Sequence, residues 1–170
     1  MLIDARGATV LGPPECKRLL AMAATLERIG RIGVATDQAP VVVPVNFTVH
    51  DDEIHIRLGA GFISQSADGS LVAFEVDQVD SVNGWAWSVL VRGLATVMDS
   101  AVAEDLEAAG APLVPEPGHL ILVIRPDLLT GRHFTLGHHN GRAVRPPPRA
   151  DGAFGTLGPV APSWAAGPWK

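Results

Sequence analysis

The stretch 71–98, LVAFEVDQVDSVNGWAWSVLVRGLATVM, constrains the fold more than any other part of the chain. In its first part Leu71, Ala73 and Glu75 alternate with Val72, Phe74 and Val76. In its second, Trp87, Val89, Val91 and Gly93 alternate with Ser88, Leu90, Arg92 and Leu94. Period-two runs rich in valine, leucine and aromatics are strand signals. Neither face is wholly polar, so the two strands belong inside a sheet or barrel. The polar segment 77–84 (DQVDSVNG) is read as the loop between them. Glu75 and Arg92 interrupt apolar strands, and a charge there must be paired or face water. Pairing of the two across the strands is the structural expectation, and Arg92 reaching a cleft the functional one.

The flanks supply the rest of a small barrel. Residues 1–12 are a lead-in with weak order. Pro13-Pro14 open a helix, where the missing N–H costs nothing. Leu19, Met22, Ala23, Leu26 and Ile29 form its apolar stripe, and Gly30 is a helix-ending residue. An antiparallel meander follows, with strands at 31–36 (RIGVAT), 40–49 (PVVVPVNFTV) and 53–58 (EIHIRL). Pro44 removes a ladder donor within the second, so an edge, bulge or bend is expected there. A single helical turn is expected at 62–67 and a tight turn at Asp68-Gly69. After the long pair come a helix over 99–109, a Pro-containing loop over 110–118 and a last core strand over 119–125, broken by Pro126-Asp127. A short strand end is expected over 128–134.

From 137 the composition shifts to glycine, proline and alanine, which gives little regular structure. The chain therefore divides into a barrel domain, 1–136, and a tail, 137–170. Phe154, Leu157, Trp164 and Trp169 are spaced along that tail as apolar anchors, expected to pack on the barrel or on a partner subunit.

A length of 170 residues suffices for one domain with a real core. The net charge of −5 argues against nucleic-acid and anionic-membrane partners. Mean hydropathy is +0.23, with 47% hydrophobic and 18% charged residues, which leaves apolar surface for a second subunit to cover. No run approaches the ~18 apolar residues of a spanning helix. Asp4 and the lack of a basic-then-apolar opening argue against a secretion signal. A single cysteine, Cys16, cannot form an internal disulfide, which fits a reducing cytoplasm.

Residues with catalytic chemistry are few. The six histidines, His50, His55, His119, His133, His138 and His139, show no HxH or HExxH spacing, so no metal site is expected. His133 alternates with Arg132 on the last strand, where it could face a cleft as a proton donor or haem ligand. Trp85 and Trp87 share one face and are read first as core or interface packing. No Ser-His-Asp order, phosphate loop or pair of catalytic carboxylates stands out. Redox chemistry can dispense with them, because a bound cofactor carries the reaction.

Six words occur in one order: GRIGVAT (30–36), PVVVPVNF (40–47), IHIRLGAG (54–61), VAFEVDQVD (72–80), WSVLVRGLA (87–95) and LLTGRHF (128–134). Through them the chain resembles the pyridoxamine 5′-phosphate oxidase-like proteins, the flavin- and deazaflavin-binding split β-barrels. The resemblance implies a mainly β, six-stranded antiparallel split barrel with flanking helices. It also implies a homodimer with a flavin in each of two clefts between subunits. FMN is the expected cofactor, a deazaflavin the alternative and haem a third. Pro44, Val45 and Asn46 would pass the flavin ring. Arg57, Leu58, Gly61, Phe62 and Ile63 would lie at the ribityl phosphate, and Trp87 and Ser88 would reach the flavin across the dimer. The implied activity is oxidation or reduction of a small molecule. The alternative is a non-catalytic binding protein with an altered or empty pocket.

One departure bears on the cofactor. Relatives read roughly R-T-x-x-G-x-K at the phosphate turn, and this chain has Leu58 and Ile63 where they carry threonine and lysine. Two lost charge-assisted hydrogen bonds of ~1.5–3 kcal/mol each weaken phosphate binding by roughly 10²–10⁴-fold. Arg57, the Gly61 amide and Ser64 or Gln65 remain as partners. The structural alternative for Arg57 is an ion pair with Glu53 or Asp52.

Overall fold

The computed structural model describes residues 2–4, 8–26, 29–99 and 118–136. By its internal contacts the chain divides into a unit Met1–Leu136 and a second unit, Gly137–Lys170. The second lies outside the described residues, as does the helix expected over 99–109 apart from Asp99, which ends the strand Trp85–Asp99 instead.

The described part is one curled antiparallel sheet with two helices. In chain order it comprises β1 (Leu2–Ile3), β2 (Thr9–Leu11), α1 (Pro13–Leu26), β3 (Ile29–Val34), β4 (Val41–Asn46) and β5 (Thr48–His50). Then follow β6 (Glu53–Leu58), α2 (Phe62–Ala67), β7 (Leu71–Asp80), β8 (Trp85–Asp99) and β9 (Leu120–Thr135). The strand order is β1-β2-β9-β8-β7-β3-β4, and β6, carrying β5, joins β9 beside that path. This is the expected split barrel, with short extra strands at its ends.

Its centre is the β7–β8–β9 ladder. Val72, Phe74 and Val76 on β7, Val89 and Val91 on β8, and Leu122 and Ile124 on β9 are all buried. Ile32 and Val34 of β3 and Ile54 and Ile56 of β6 complete the inner face. The rings of Phe47 and Phe74 meet edge to face with centroids 4.9 Å apart, a geometry worth about 0.5–1.5 kcal/mol beyond area burial. Helix α1 closes one end by burying Cys16, Leu19, Leu20 and Ala23. It comes so close to β9 that a Cβ at Gly131 would stand 2.7 Å from Cys16 Sγ.

Several sequence expectations give way to the ladder. β7 runs on through Asp80, because Asp77, Gln78, Val79 and Asp80 pair with Ser88, Trp87, Ala86 and Trp85. The loop shrinks to 81–84, held by the Asp80 carboxylate, which accepts from the backbone N–H groups of Val82 and Asn83 and from the Asn83 side chain. The lead-in holds two strands, because β2 finds the free edge of β9 between Gly131 and His133. Gly30 belongs to β3 rather than to a helix end, and a Cβ there would lie 2.2 Å from the Phe74 ring. The meander is not continuous either. β4 pairs only with β3, the chain turns at Phe47, and β5 then pairs with β6. Pro44 thus sits on an edge strand, where a missing donor is tolerated.

Pro126 does not break the last strand. β9 continues to Thr135, and a register shift opposite Arg92/Gly93 absorbs the irregularity. A bulge leaves one residue out of the ladder, so a proline beside it costs no essential hydrogen bond. Above the shift Leu122 and Ile124 face inward. Below it Leu129, Gly131 and His133 do, opposite Val91, Val89 and Trp87.

Candidate cofactor site

The alternation of each strand sorts the expected cofactor residues onto two faces of the sheet. On β4, Pro44 is exposed on the outer face beside Arg31, whereas Val45 is buried inward. Asn46 follows Pro44 by two residues and is 8% exposed. On β6, Glu53, His55 and Arg57 face out and Ile54, Ile56 and Leu58 face the core. On β8, Trp87 faces in and Ser88 faces out, opposite Asp77 and Arg132. Pro44, Arg57 and Ser88 are therefore outer-face residues. Val45, Leu58 and Trp87 belong to the inner packing.

Arg57 is half-exposed and makes no hydrogen bond or ion pair among the described residues. Its expected structural partners are engaged elsewhere. Glu53 accepts from Arg125 Nε at 2.8 Å, and Asp52 is bound by Lys17. The guanidinium is thus an uncommitted cation near the turn that leads into α2. That turn is otherwise poor in donors. Leu58 is 9% exposed within the core, and Ile63 packs against the same cluster. The Ser64 hydroxyl donates to the Gly61 carbonyl and accepts from the Gly61 N–H, both at 2.9 Å. Of the polar groups expected at the phosphate, Arg57 and the exposed Gln65 stay available, and Ser64 is spent on the turn itself.

The outer face beside Pro44 carries a charge cluster that the sequence did not single out. Arg31 bridges Glu75 and Asp77. Burial is the largest influence on Glu75 and raises its carboxyl pKa, an effect strengthened by Asp77 and opposed by Arg31. Glu75 therefore does not pair with Arg92, which lies opposite Ala73 and Leu128 and makes no ion pair among the described residues. Around Arg92 the large side chains Leu71, Leu90, Leu94 and Leu128 are all at least 38% exposed. The signal for Arg31 was faint because a lone arginine opening a strand is unremarkable until register brings two carboxylates beside it.

The inner face opens at one end into a pocket of about 240 Å³ beneath α1. Leu11, Leu19, Met22, Trp85, Trp87 and His133 line it, along with Glu15 and Arg18. Trp87 is 3% exposed and donates its indole N–H to Gln78 Oε1 at 3.2 Å. The sequence hid this group because Leu19 and Met22 read as ordinary helix stripe, and Leu11 fell in a segment expected to lack order.

Two histidines meet on the β5–β6 hairpin. Both ring nitrogens of His55 are buried without a hydrogen-bond partner. Burial lowers its pKa, with Glu53 and Asp51 opposing and His50 reinforcing the shift. No group of three or more histidine, cysteine, aspartate or glutamate side chains is placed to hold a metal among the described residues. Among them too, no helix is long and apolar enough to cross a membrane.

Comparison with known proteins agrees with the fold. The family profile for pyridoxamine 5′-phosphate oxidase matches residues 13–133. The uncharacterized protein Rv0080 of Mycobacterium tuberculosis is 33% identical over 135 residues, covering 75% of this chain and 86% of that protein. The structure of the FAD binding protein from Mycobacterium smegmatis superposes with a TM-score of 0.61 at 32% identity, covering 75% of this chain and 99% of the other. A conserved protein of unknown function from Corynebacterium diphtheriae gives 0.60 at 25% identity, covering 75% and 98%. With the split-barrel topology and the profile match both in place, this chain belongs to the pyridoxamine 5′-phosphate oxidase family.

Proposed function

We propose that this protein binds a flavin nucleotide on the outer face of its barrel and uses it to oxidise or reduce a small molecule. The observation that carries this reading is the uncommitted Arg57 guanidinium, with its neighbours Glu53 and Asp52 already paired. A cation left free on a strand that leads into the expected phosphate turn is suited to a phosphate oxygen. The edge strand at Pro44 supports the same reading, because an edge leaves backbone groups open to a ligand. A bound flavin supplies the redox chemistry. The chain's own part is to hold the phosphate with Arg57 and to offer backbone polar groups along 44–46.

FMN is the form expected from the family pattern. FAD is favoured by a specific feature, the placement of Leu58 and Ile63 in the core packing. FMN ends in a dianionic phosphate that needs several strong donors. The internal diphosphate of FAD carries one charge per phosphorus and tolerates a turn with one cation. The M. smegmatis relative, an FAD binding protein, supports that second form.

A second copy of the chain belongs to the same proposal. The exposed leucines around Arg92 form an apolar outer face that another subunit would cover, and an obligate interface of this kind exceeds ~2,000 Å². Light scattering at micromolar concentration should give a dimer, and a monomer would remove this part of the reading. Absorbance and fluorescence titrations with FMN, FAD, riboflavin and a deazaflavin test the cofactor. Saturable binding of FMN or FAD with weaker binding of riboflavin is the expected result. If none of the four binds, the protein is a split barrel that has exchanged its ligand.

A further inference from the structure

We propose that the pocket beneath α1 binds a compact hydroxylated aromatic molecule, a phenol of one ring, with its oxygen turned to His133. The walls are indole, thioether and leucine side chains: Trp85, Trp87, Met22, Leu11 and Leu19. Such surfaces favour flat apolar ligands through dispersion, ring stacking and S–aromatic contact. The pocket has a volume of about 240 Å³. That is small for a ligand site, since drug-sized pockets run to about 300–1,000 Å³, and it matches the seating of one substituted ring.

The polar groups narrow the class further. Glu15 and Arg18 pair through two hydrogen bonds, Arg18 Nε to Oε2 at 3.1 Å and NH2 to Oε1 at 2.7 Å. Their charges offset each other, so the pocket offers no net charge for a carboxylate or an amine. The Trp87 N–H is committed to Gln78. His133 is the polar lining group with no hydrogen bond among the described residues, and it stands opposite Trp87 in the ladder. A neutral imidazole both donates and accepts, which suits a hydroxyl. The role of this ligand as substrate rests on the flavin reading above, but its binding does not.

The test is calorimetric titration of the full-length protein with p-cresol, toluene and 4-methylcyclohexanol. The expected order is p-cresol tightest, with saturable binding below ~1 mM. His133→Phe should weaken p-cresol about 5-fold, the worth of one neutral hydrogen bond, and leave toluene unchanged. Met22→Trp should fill the cavity and abolish binding of all three, with its melting curve recorded as a check of folding. Should that variant fail to fold, the split between p-cresol and toluene in His133→Phe still decides the matter. No saturable binding of any probe overturns the proposal. So does p-cresol binding that survives a folded Met22→Trp or is indifferent to His133→Phe. Flavin titrations run in parallel keep the two readings apart. Phenol binding without flavin binding removes the cofactor reading alone, and flavin binding without phenol binding removes this one alone.

Discussion

The two faces of β6 differ in kind although they are built from alternate residues of one six-residue strand. Inward, Ile54, Ile56 and Leu58 are sealed in the core and satisfied by contact. Outward, Glu53 is paired, His55 carries two buried ring nitrogens with no hydrogen bond, and Arg57 makes no hydrogen bond or ion pair among the described residues. The inner face explains why the barrel stands. The outer face holds what stability does not explain. The same division runs across the sheet, with Phe74, Val89 and Val91 inside and Arg92 among exposed leucines outside. Function is best sought where the fold leaves groups unspent.

That division is open to mutation. Phe74→Ala removes the ring that packs on Phe47 and should cost about 3–5 kcal/mol in denaturant unfolding. Flavin affinity per folded molecule should hold. A loss of affinity larger than the loss of stability would show that the faces are not separable. Arg57→Gln should do the reverse. Removing one charge-assisted hydrogen bond of ~1.5–3 kcal/mol should weaken FMN or FAD by roughly 10–150-fold, leaving riboflavin and the melting temperature nearly unchanged. Equal losses for riboflavin would move the phosphate elsewhere. Leu90→Glu would bury a carboxylate of each copy in the apolar face if a second copy packs there. The dimer dissociation constant should rise about 10-fold or more, read by sedimentation, with secondary structure intact.

The smallest effect is expected at His55. Its folded pKa lies below the unfolded value, because burial disfavours the imidazolium. Between those two values the unfolded chain binds more protons, so stability is complete above about pH 6.5 and falls as pH drops towards the folded pKa. His55→Leu replaces two unsatisfied nitrogens with a hydrocarbon of similar size. It should flatten the stability profile below pH 6.5 and cost little at pH 8. An unchanged slope would assign the acid sensitivity to other groups.

The residues that made the fold legible were those whose local and distant demands agree. The strand at 53–58 and the helical turn at 62–67 stand where pattern alone put them. The alternation over 85–98 likewise lies within one strand. Agreement failed where a partner strand decided. Asp77, Gln78 and Asp80 are poor strand formers that Ser88, Trp87 and Trp85 hold in register, and Gly30 serves a ring 44 positions away. At the site, the identity of Arg57 was legible but its freedom was not, because that depends on Arg125 having taken Glu53. Leu58 was read as a gap in a phosphate site, whereas its face of β6 is the core. Leu58→Thr would therefore bury a hydroxyl rather than offer one to a ligand, whereas Ile63 is only partly buried, so Ile63→Lys can carry its ammonium out of the packing on a long stem.

The irregularity at Pro126-Asp127 sets a phase. Above it the even-numbered residues of β9, Leu122 and Ile124, point inward, and below it the odd-numbered ones, Gly131 and His133, do. One extra residue is what inverts the count, since side chains alternate with period two. Deleting the unpaired Asp127 would join Pro126, opposite Gly93, directly to Leu128, opposite Arg92, so the ladder would become regular and Gly131 and His133 would keep their inward face. A single-residue insertion between Leu128 and Arg132, where every residue is paired, would instead push Arg132, now bound to Asp4, into the place of His133 opposite Trp87, and a permanent cation would stand against the indoles where an imidazole stands now. A change of length within the paired stretch can therefore rewrite the chemistry of the pocket without altering any residue that lines it, whereas loss of the one unpaired residue is silent there.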